Sequence, residues 1–219
     1  MIFSEMLNNF DGLYHFFGET FEEIETVLTN GVSISDIHVE PEQILTVNQI
    51  HSSTVIRVNS TKLRIPEADG LITNQRGIYL CIRTADCVPL LLYDSMKQVC
   101  AAVHSGREGT LKNITGICIA AMQKWYGCEV ANIIAGVGPA IIGRNYQVDS
   151  NCFNNFKNAG GCVLPCSKLD VTGTVINQLT TCGVTQIEVL PQCTFENEKF
   201  YSYRRNQTKL RQATLIGMS

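Results

Sequence analysis

The chain has 219 residues, 45% of them hydrophobic and 17% charged, a balance that builds a sizeable buried core in one large domain or two small ones. A net charge of −3 argues against a nucleic-acid surface, and no apolar stretch is long enough to cross a membrane. The opening Met1-Ile2-Phe3-Ser4-Glu5-Met6 lacks the features of a secretory signal, so the ten cysteines are expected to be reduced in a cytoplasmic protein.

Residues 1–30 read as an irregular start followed by a short helix near Glu19–Thr29. Ile44–Val58 looks extended, and its end, Val55-Ile56-Arg57-Val58, suits a strand. Ala68-Asp69-Gly70 signals a turn before the short strand Leu71-Ile72-Thr73. Ile78–Arg83 and Val88–Tyr93 are apolar strand runs joined by Thr84-Ala85-Asp86-Cys87, and Val99–His104 is a third. Leu111, Ile114, Cys118, Ala121, Met122 and Trp125 recur at helical spacing, with Gly127 as the stop. Ile133–Val137 is a strand running into Gly138-Pro139, and Asp149–Lys157 reads as a short helix. Leu169–Thr181 is an amphipathic helix ended near Gly183, and Gln186–Leu190 and Gln212–Gly217 are late strands. Hairpin-like and strand–helix–strand connections together predict an α+β sandwich with a mixed β-sheet and packed helices, rather than a doubly wound parallel sheet.

Three residues with metal-binding side chains close apolar runs: His51, Cys87 and His104. Two imidazoles and a thiolate can hold zinc and leave a fourth position open, which suits a metal that activates water or polarises a substrate. Each also has a plainer reading, as a strand-end histidine bonded to a carbonyl or as a core cysteine. Their shared position where strands emerge into loops favours a site. His15 and His38 lack that setting and are expected at the surface. No Cys-x-x-Cys pair occurs, and Cys162 and Cys166 read as ordinary packing or loop cysteines.

Ser105-Gly106-Arg107-Glu108-Gly109 leads into the strong helix. It is either an anion cradle, with Arg107 as a cationic fork, or an ordinary turn capped by Thr110. Asp86 either orients a histidine or caps its turn. Arg83 lies on a run that otherwise looks buried, so it has a site role or an internal ion pair. Tyr201-Ser202-Tyr203-Arg204-Arg205 reads as a solvated basic loop.

From about Thr46 to the C-terminus the chain resembles the bacterial YfiH-like family, formerly called multicopper polyphenol oxidases or laccases and related to the human protein FAMIN. The matching motifs are Gln49-Ile50-His51, Ala68-Asp69-Gly70-Leu71-Ile72-Thr73, Thr84–Leu92, His104-Ser105-Gly106, Gly136–Ile141, Leu169-Asp170, Cys193-Thr194 and Phe200–Arg205. The resemblance implies one YfiH-like domain over residues 1–219. It implies a purine nucleoside phosphorylase, acting on adenosine, inosine or methylthioadenosine, that also deaminates adenosine. It places the metal on His51, Cys87 and His104, with zinc as the cofactor and copper as the alternative. Asp86 is then the proton shuttle, and Gln49, Arg83, Gly106 and Arg107 contact the substrate. Purine nucleoside and phosphate are the expected partners, with no nucleic acid and no membrane, and homo-oligomerisation is left open.

Family members usually read His-Ala-Gly-Trp-Arg-Gly where this chain has His104-Ser105-Gly106-Arg107-Glu108-Gly109. A carboxylate there repels phosphate unless Arg107 compensates. A Thr-Arg-x-Gly-Gly-like segment near the family's start is replaced by Phe16-Phe17-Gly18-Glu19-Thr20, without the arginine. Four rival readings remain: a metal-free cysteine hydrolase or deamidase with Cys87 as nucleophile and His104 as base; a copper polyphenol oxidase, for which four histidines are few; a peptidoglycan-precursor editing factor; and a binding module whose metal is structural.

Overall fold

Strands covered on both faces need apolar residues at successive positions, and three runs in the middle of the chain satisfy this. A computed structural model of the chain describes residues 1–61 and 66–219. In chain order its elements are β1 (Leu13–Phe17), α1 (Ile24–Asn30), β2 (Val32–Ile34), β3 (Ile37–Val39), β4 (Ile44–Leu45), β5 (Val55–Arg57), β6 (Gly70–Thr73), β7 (Tyr79–Thr84), β8 (Val88–Asp94), β9 (Val99–Ser105), α2 (Arg107–Leu111), α3 (Ile114–Tyr126), β10 (Ile133–Val137), α4 (Ser150–Asn158), β11 (Val163–Leu164), β12 (Lys168–Leu169), α5 (Val171–Thr181), β13 (Gln186–Val189), α6 (Tyr203–Asn206) and β14 (Gln212–Met218).

Two sheets form the sandwich. One has the order β1-β14-β7-β4, the other β13-β10-β8-β9-β6-β5. Both are mixed. β4–β7, β5–β6 and β10–β13 are parallel, and the remaining pairs within these two sheets are antiparallel. The expected α+β sandwich with packed helices is thus present.

Alternation along each strand sorts side chains into three apolar layers. Leu80, Ile82, Ile216, Leu71, Leu91, Cys100 and Ala102 meet between the sheets. Leu90, Leu92, Ala101 and Val103 face outward from the larger sheet against Cys118 and Met122 of α3 and Val175 and Leu179 of α5. Cys81, Ala213 and Leu215 face outward from the smaller sheet against Ile24 and Val27 of α1 and Ile34 and Val39 of the β2–β3 hairpin. Burial of each large side chain is worth roughly 1.5–3 kcal/mol before entropy is counted. β8 and β9 are buried at every position because both of their faces are covered.

Several sequence expectations change. The irregular start contains β1, paired with β14, and β1 carries His15 at 1% exposure, not at the surface. His38 is exposed as expected. The first helix begins at Ile24 rather than Glu19, because the Glu23 carboxylate caps it by accepting from the N–H groups of Glu25 and Thr26 at 3.0 and 3.2 Å. The helix expected from Leu111 is broken. Asn113 adopts φ +57° and caps α3 by accepting from the Gly116 N–H at 3.2 Å, leaving α2 as a separate five-residue turn. Tyr203–Asn206 forms the short helix α6 rather than a loop.

Candidate metal centre

His51, Cys87 and His104 converge at one end of the sandwich. Their ligand atoms lie within 4.8 Å of one another, and the two imidazole rings meet edge-on with centroids 4.9 Å apart. His51 sits between β4 and β5 with φ +57°. Cys87 sits in the β7–β8 turn, directly after Asp86 at φ +87°. His104 is the penultimate residue of β9, paired with Pro89. His51 is exposed, Cys87 half-buried and His104 buried, so the trio opens outward on one side.

Asp69 organises all of this from behind. Its fully buried carboxylate accepts from the N–H groups of His51 at 3.1 Å and Ser52 at 2.6 Å, and from the Ser52 hydroxyl at 2.7 Å. It also meets His104 Nδ1 at 2.8 Å, while the Asp69 carbonyl accepts from the His104 N–H at 2.7 Å. Burial alone would raise this carboxyl, but the bonds from His104 and Ser52 outweigh it and hold the pKa at about 2. An ionised acceptor at Nδ1 puts the proton there and leaves Nε2 of His104 free for a metal.

Gly106 supplies the space. A Cβ there would come within 2.9 Å of His51 Cδ2 and 3.1 Å of Cys87 Sγ, so only glycine leaves the middle of the trio open. Electrostatics favours the ligating form of the thiol. Burial pushes Cys87 up, but the charge and hydrogen bond of His104 and the hydrogen bond of His51 overcome it and bring its pKa to about 6. His104 is correspondingly raised: burial lowers it, and the Cys87 thiolate and Asp69 prevail. A thiolate, two imidazoles, a buried carboxylate behind one of them and an open centre fit a zinc-like ion. Among the described residues this is the one group of three such side chains drawn together, so the ligands of a larger copper cluster are not gathered elsewhere.

The trio forms one wall of a cavity of about 930 Å3 that also includes Gln49, Arg83, Asp86, Arg107, Glu108, Tyr146 and Arg204. Gln49 spends its amide on the main chain of Arg83, donating to its carbonyl at 2.9 Å and accepting from its N–H at 2.8 Å. Arg107 does compensate Glu108: Nε and Nη2 lie 3.0 and 2.8 Å from Glu108 Oε1, and Nη1 lies 2.8 Å from Cys152 Sγ. Asp86 orients no histidine, because Asp69 holds that position. The Asp86 oxygens accept instead from the Thr194 hydroxyl at 2.7 Å and the Arg204 N–H at 2.6 Å. The Ser105–Gly109 turn is closed by Thr110, whose hydroxyl donates to the Gly106 carbonyl at 2.8 Å. It opens the short α2 rather than α3.

Sequence reasoning missed Asp69, Tyr146 and Arg204. Asp69 is hidden in an Asp-Gly turn signal. Arg204 belongs to a segment that reads as solvated, and it enters the cavity because Asp86 holds its main chain.

A family model described as multi-copper polyphenol oxidoreductase laccase matches residues 18–219. A purine nucleoside phosphorylase of Corynebacterium glutamicum is 33% identical over 204 residues, covering 89% of this chain and 82% of that protein. Another, of Streptomyces coelicolor, is 33% identical over 196 residues, covering 84% and 79%. The crystal structure of YlmD from Geobacillus stearothermophilus superposes with a TM-score of 0.76 at 26% identity, covering 82% of this chain and 75% of that one.

Proposed function

The chain belongs to the multi-copper polyphenol oxidoreductase laccase family, and from that premise we propose a metal-dependent purine nucleoside enzyme that phosphorolyses adenosine, inosine or methylthioadenosine and deaminates adenosine. The observation that carries this reading is the trio His51, Cys87 and His104 on the wall of a cavity whose size suits a nucleoside. The purine specificity comes from the named activity of the relatives.

Zinc, or copper in its place, supplies Lewis acidity and a water activated near neutral pH when bound to the trio. Asp69 fixes His104 with Nε2 toward the centre, and Gly106 keeps the approach open. In deamination, water adds at C6 of adenosine and ammonia leaves, giving inosine. Asp86, a carboxylate at the cavity beside Cys87, carries the proton between them. In phosphorolysis the bond from ribose C1′ to the purine nitrogen breaks, a phosphate oxygen bonds C1′, and the purine leaves with a proton. The sugar is cation-like in that transition state, so positioning dominates. Arg83 borders the cavity for the anion, and Gln49, by fastening the Arg83 main chain, fixes where that arginine starts; Arg107 also borders the cavity but is held by Glu108 and Cys152.

Zinc-loaded protein incubated with adenosine and phosphate is expected to yield adenine with ribose 1-phosphate, or inosine with ammonia, by chromatography. No turnover of any purine nucleoside with metal present would defeat the assignment.

One observation favours a second reading. Cys87, His104 and Asp69 stand in the order nucleophile, base and orienting carboxylate, as in a metal-free cysteine hydrolase. Metal content separates the two: about one zinc per chain, lost in His51→Ala, supports the metal enzyme, and a metal-free protein alkylated at Cys87 supports the hydrolase.

A further inference from the structure

The lining of the cavity includes five cationic side chains, Arg83, Arg107, Arg204, Lys209 and Arg211, and their engagements differ. Arg107 is neutralised by Glu108 and tied to Cys152. Arg211 donates to the carbonyls of Thr208 and Leu210 at 2.8 and 2.7 Å. The guanidinium groups of Arg83 and Arg204 and the exposed ammonium of Lys209 have no hydrogen-bond or ion-pair partner among the described residues, and of these only the two guanidinium groups offer a fork of donors.

Both arginines are anchored through their main chains while their guanidinium N–H groups stay unpaired. Arg83 is half-buried on β7, and its main chain is fixed on both sides by the Gln49 amide. A half-buried guanidinium without a counter-charge is costly, and an anion in the cavity would relieve the cost. The Arg204 N–H is bonded to Asp86, three residues after Arg83. The Arg204 guanidinium lies 5.1 Å from the centroid of the Tyr146 ring, a contact that uses its face and leaves its N–H edge free. Behind it, the Arg205 guanidinium gathers the carbonyls of Thr194 at 2.7 Å and Phe200 at 2.6 Å, and Thr194 in turn donates to Asp86. The short helix α6 carrying Arg204 is thereby fastened to the strand end carrying Arg83.

We propose that Arg83 and Arg204 together form the phosphate subsite of the cavity, and that Arg107 and the α2 turn do not. This rests on the phosphorolytic reading above and names its anion-holding residues. Two guanidinium edges, both fixed through their main chains, present the forked donors that phosphate oxygens accept.

The test is binding of inorganic phosphate to the zinc-loaded full chain by calorimetry, with no nucleoside present. Arg83→Gln and Arg204→Gln are each expected to weaken binding roughly tenfold or more. Arg107→Gln is expected to change it less than about threefold, and Arg57→Gln, remote from the cavity, not at all. Zinc content and melting temperature check each variant. Should Arg83→Gln not fold, Arg83→Lys, which keeps charge but loses the fork, and Arg204→Gln, at an exposed position of α6, carry the test. Phosphate binding that survives both Gln variants, or that falls as far in Arg107→Gln, overturns the subsite. Binding of a nucleoside 5′-monophosphate that needs both arginines, with no binding of inorganic phosphate, overturns the assignment to free phosphate. Loss of phosphate binding in both variants without turnover of any nucleoside leaves the anion subsite standing and removes the activity.

Discussion

Gly106 and Asp69 act on the trio from opposite sides, one by leaving room and the other by fixing orientation. The backbone of Gly106, at φ −75° and ψ 169°, is open to any residue, so Gly106→Ala is a test of space alone. The new Cβ would displace His51 or Cys87, and turnover should fall by roughly a hundredfold with little change in melting temperature. Asp69→Asn keeps the shape but removes the charge that His104 and Ser52 address. Zinc affinity, read by competition with a chelator, should drop roughly 10- to 100-fold. The trio is legible in the sequence because histidine and cysteine are conspicuous at the ends of apolar runs. Asp69 is not, since an Asp-Gly pair has the same appearance whether it turns the chain or backs a ligand. Its role arises only when the start of β6 is laid beside the end of β9.

The elements most visible in the sequence are those that the fold buries on both faces. The runs forming β7, β8 and β9 are nearly continuous in apolar residues because an outer layer covers each sheet. β1 escapes such reading: Leu-Tyr-His-Phe-Phe shows no clean alternation, and a histidine in its middle suggests exposure. The break between α2 and α3 is hidden too, because the apolar spacing continues across Lys112 and Asn113 while the backbone does not. Asn113 tolerates its left-handed conformation and caps α3. Asn113→Ala loses the cap and strains the backbone, and should cost about 1–3 kcal/mol in urea unfolding. Asn113→Gly removes the strain and should cost less.

At the scale of the whole molecule, the buried ring of His15 links stability to pH. Its Nε2 accepts from the Ser4 N–H at 2.9 Å, which requires the neutral ring, and burial lowers its pKa to about 4. The folded value lies below the usual 6.5, so the unfolded chain takes up the proton first as pH falls. The contribution is therefore complete above pH 6.5 and is lost progressively down to about pH 4, by about 3 kcal/mol. Urea unfolding at pH 7.5 and 4.5 should show the loss, and His15→Gln should flatten it. The candidate ligand trio is mounted across both sheets. The passage from β4 to β5 bears His51 and the passage from β7 to β8 bears Cys87, and both leave the smaller sheet to enter the larger. An ion held by the trio would join these passages to the end of β9 and act as a rivet through the seam of the sandwich. At a free concentration a hundred times its dissociation constant it adds about 2.7 kcal/mol to the folded state. Stripping it with a chelator should lower the melting temperature and quicken proteolytic nicking at residues 46–54 and 84–88, where the two halves would begin to part.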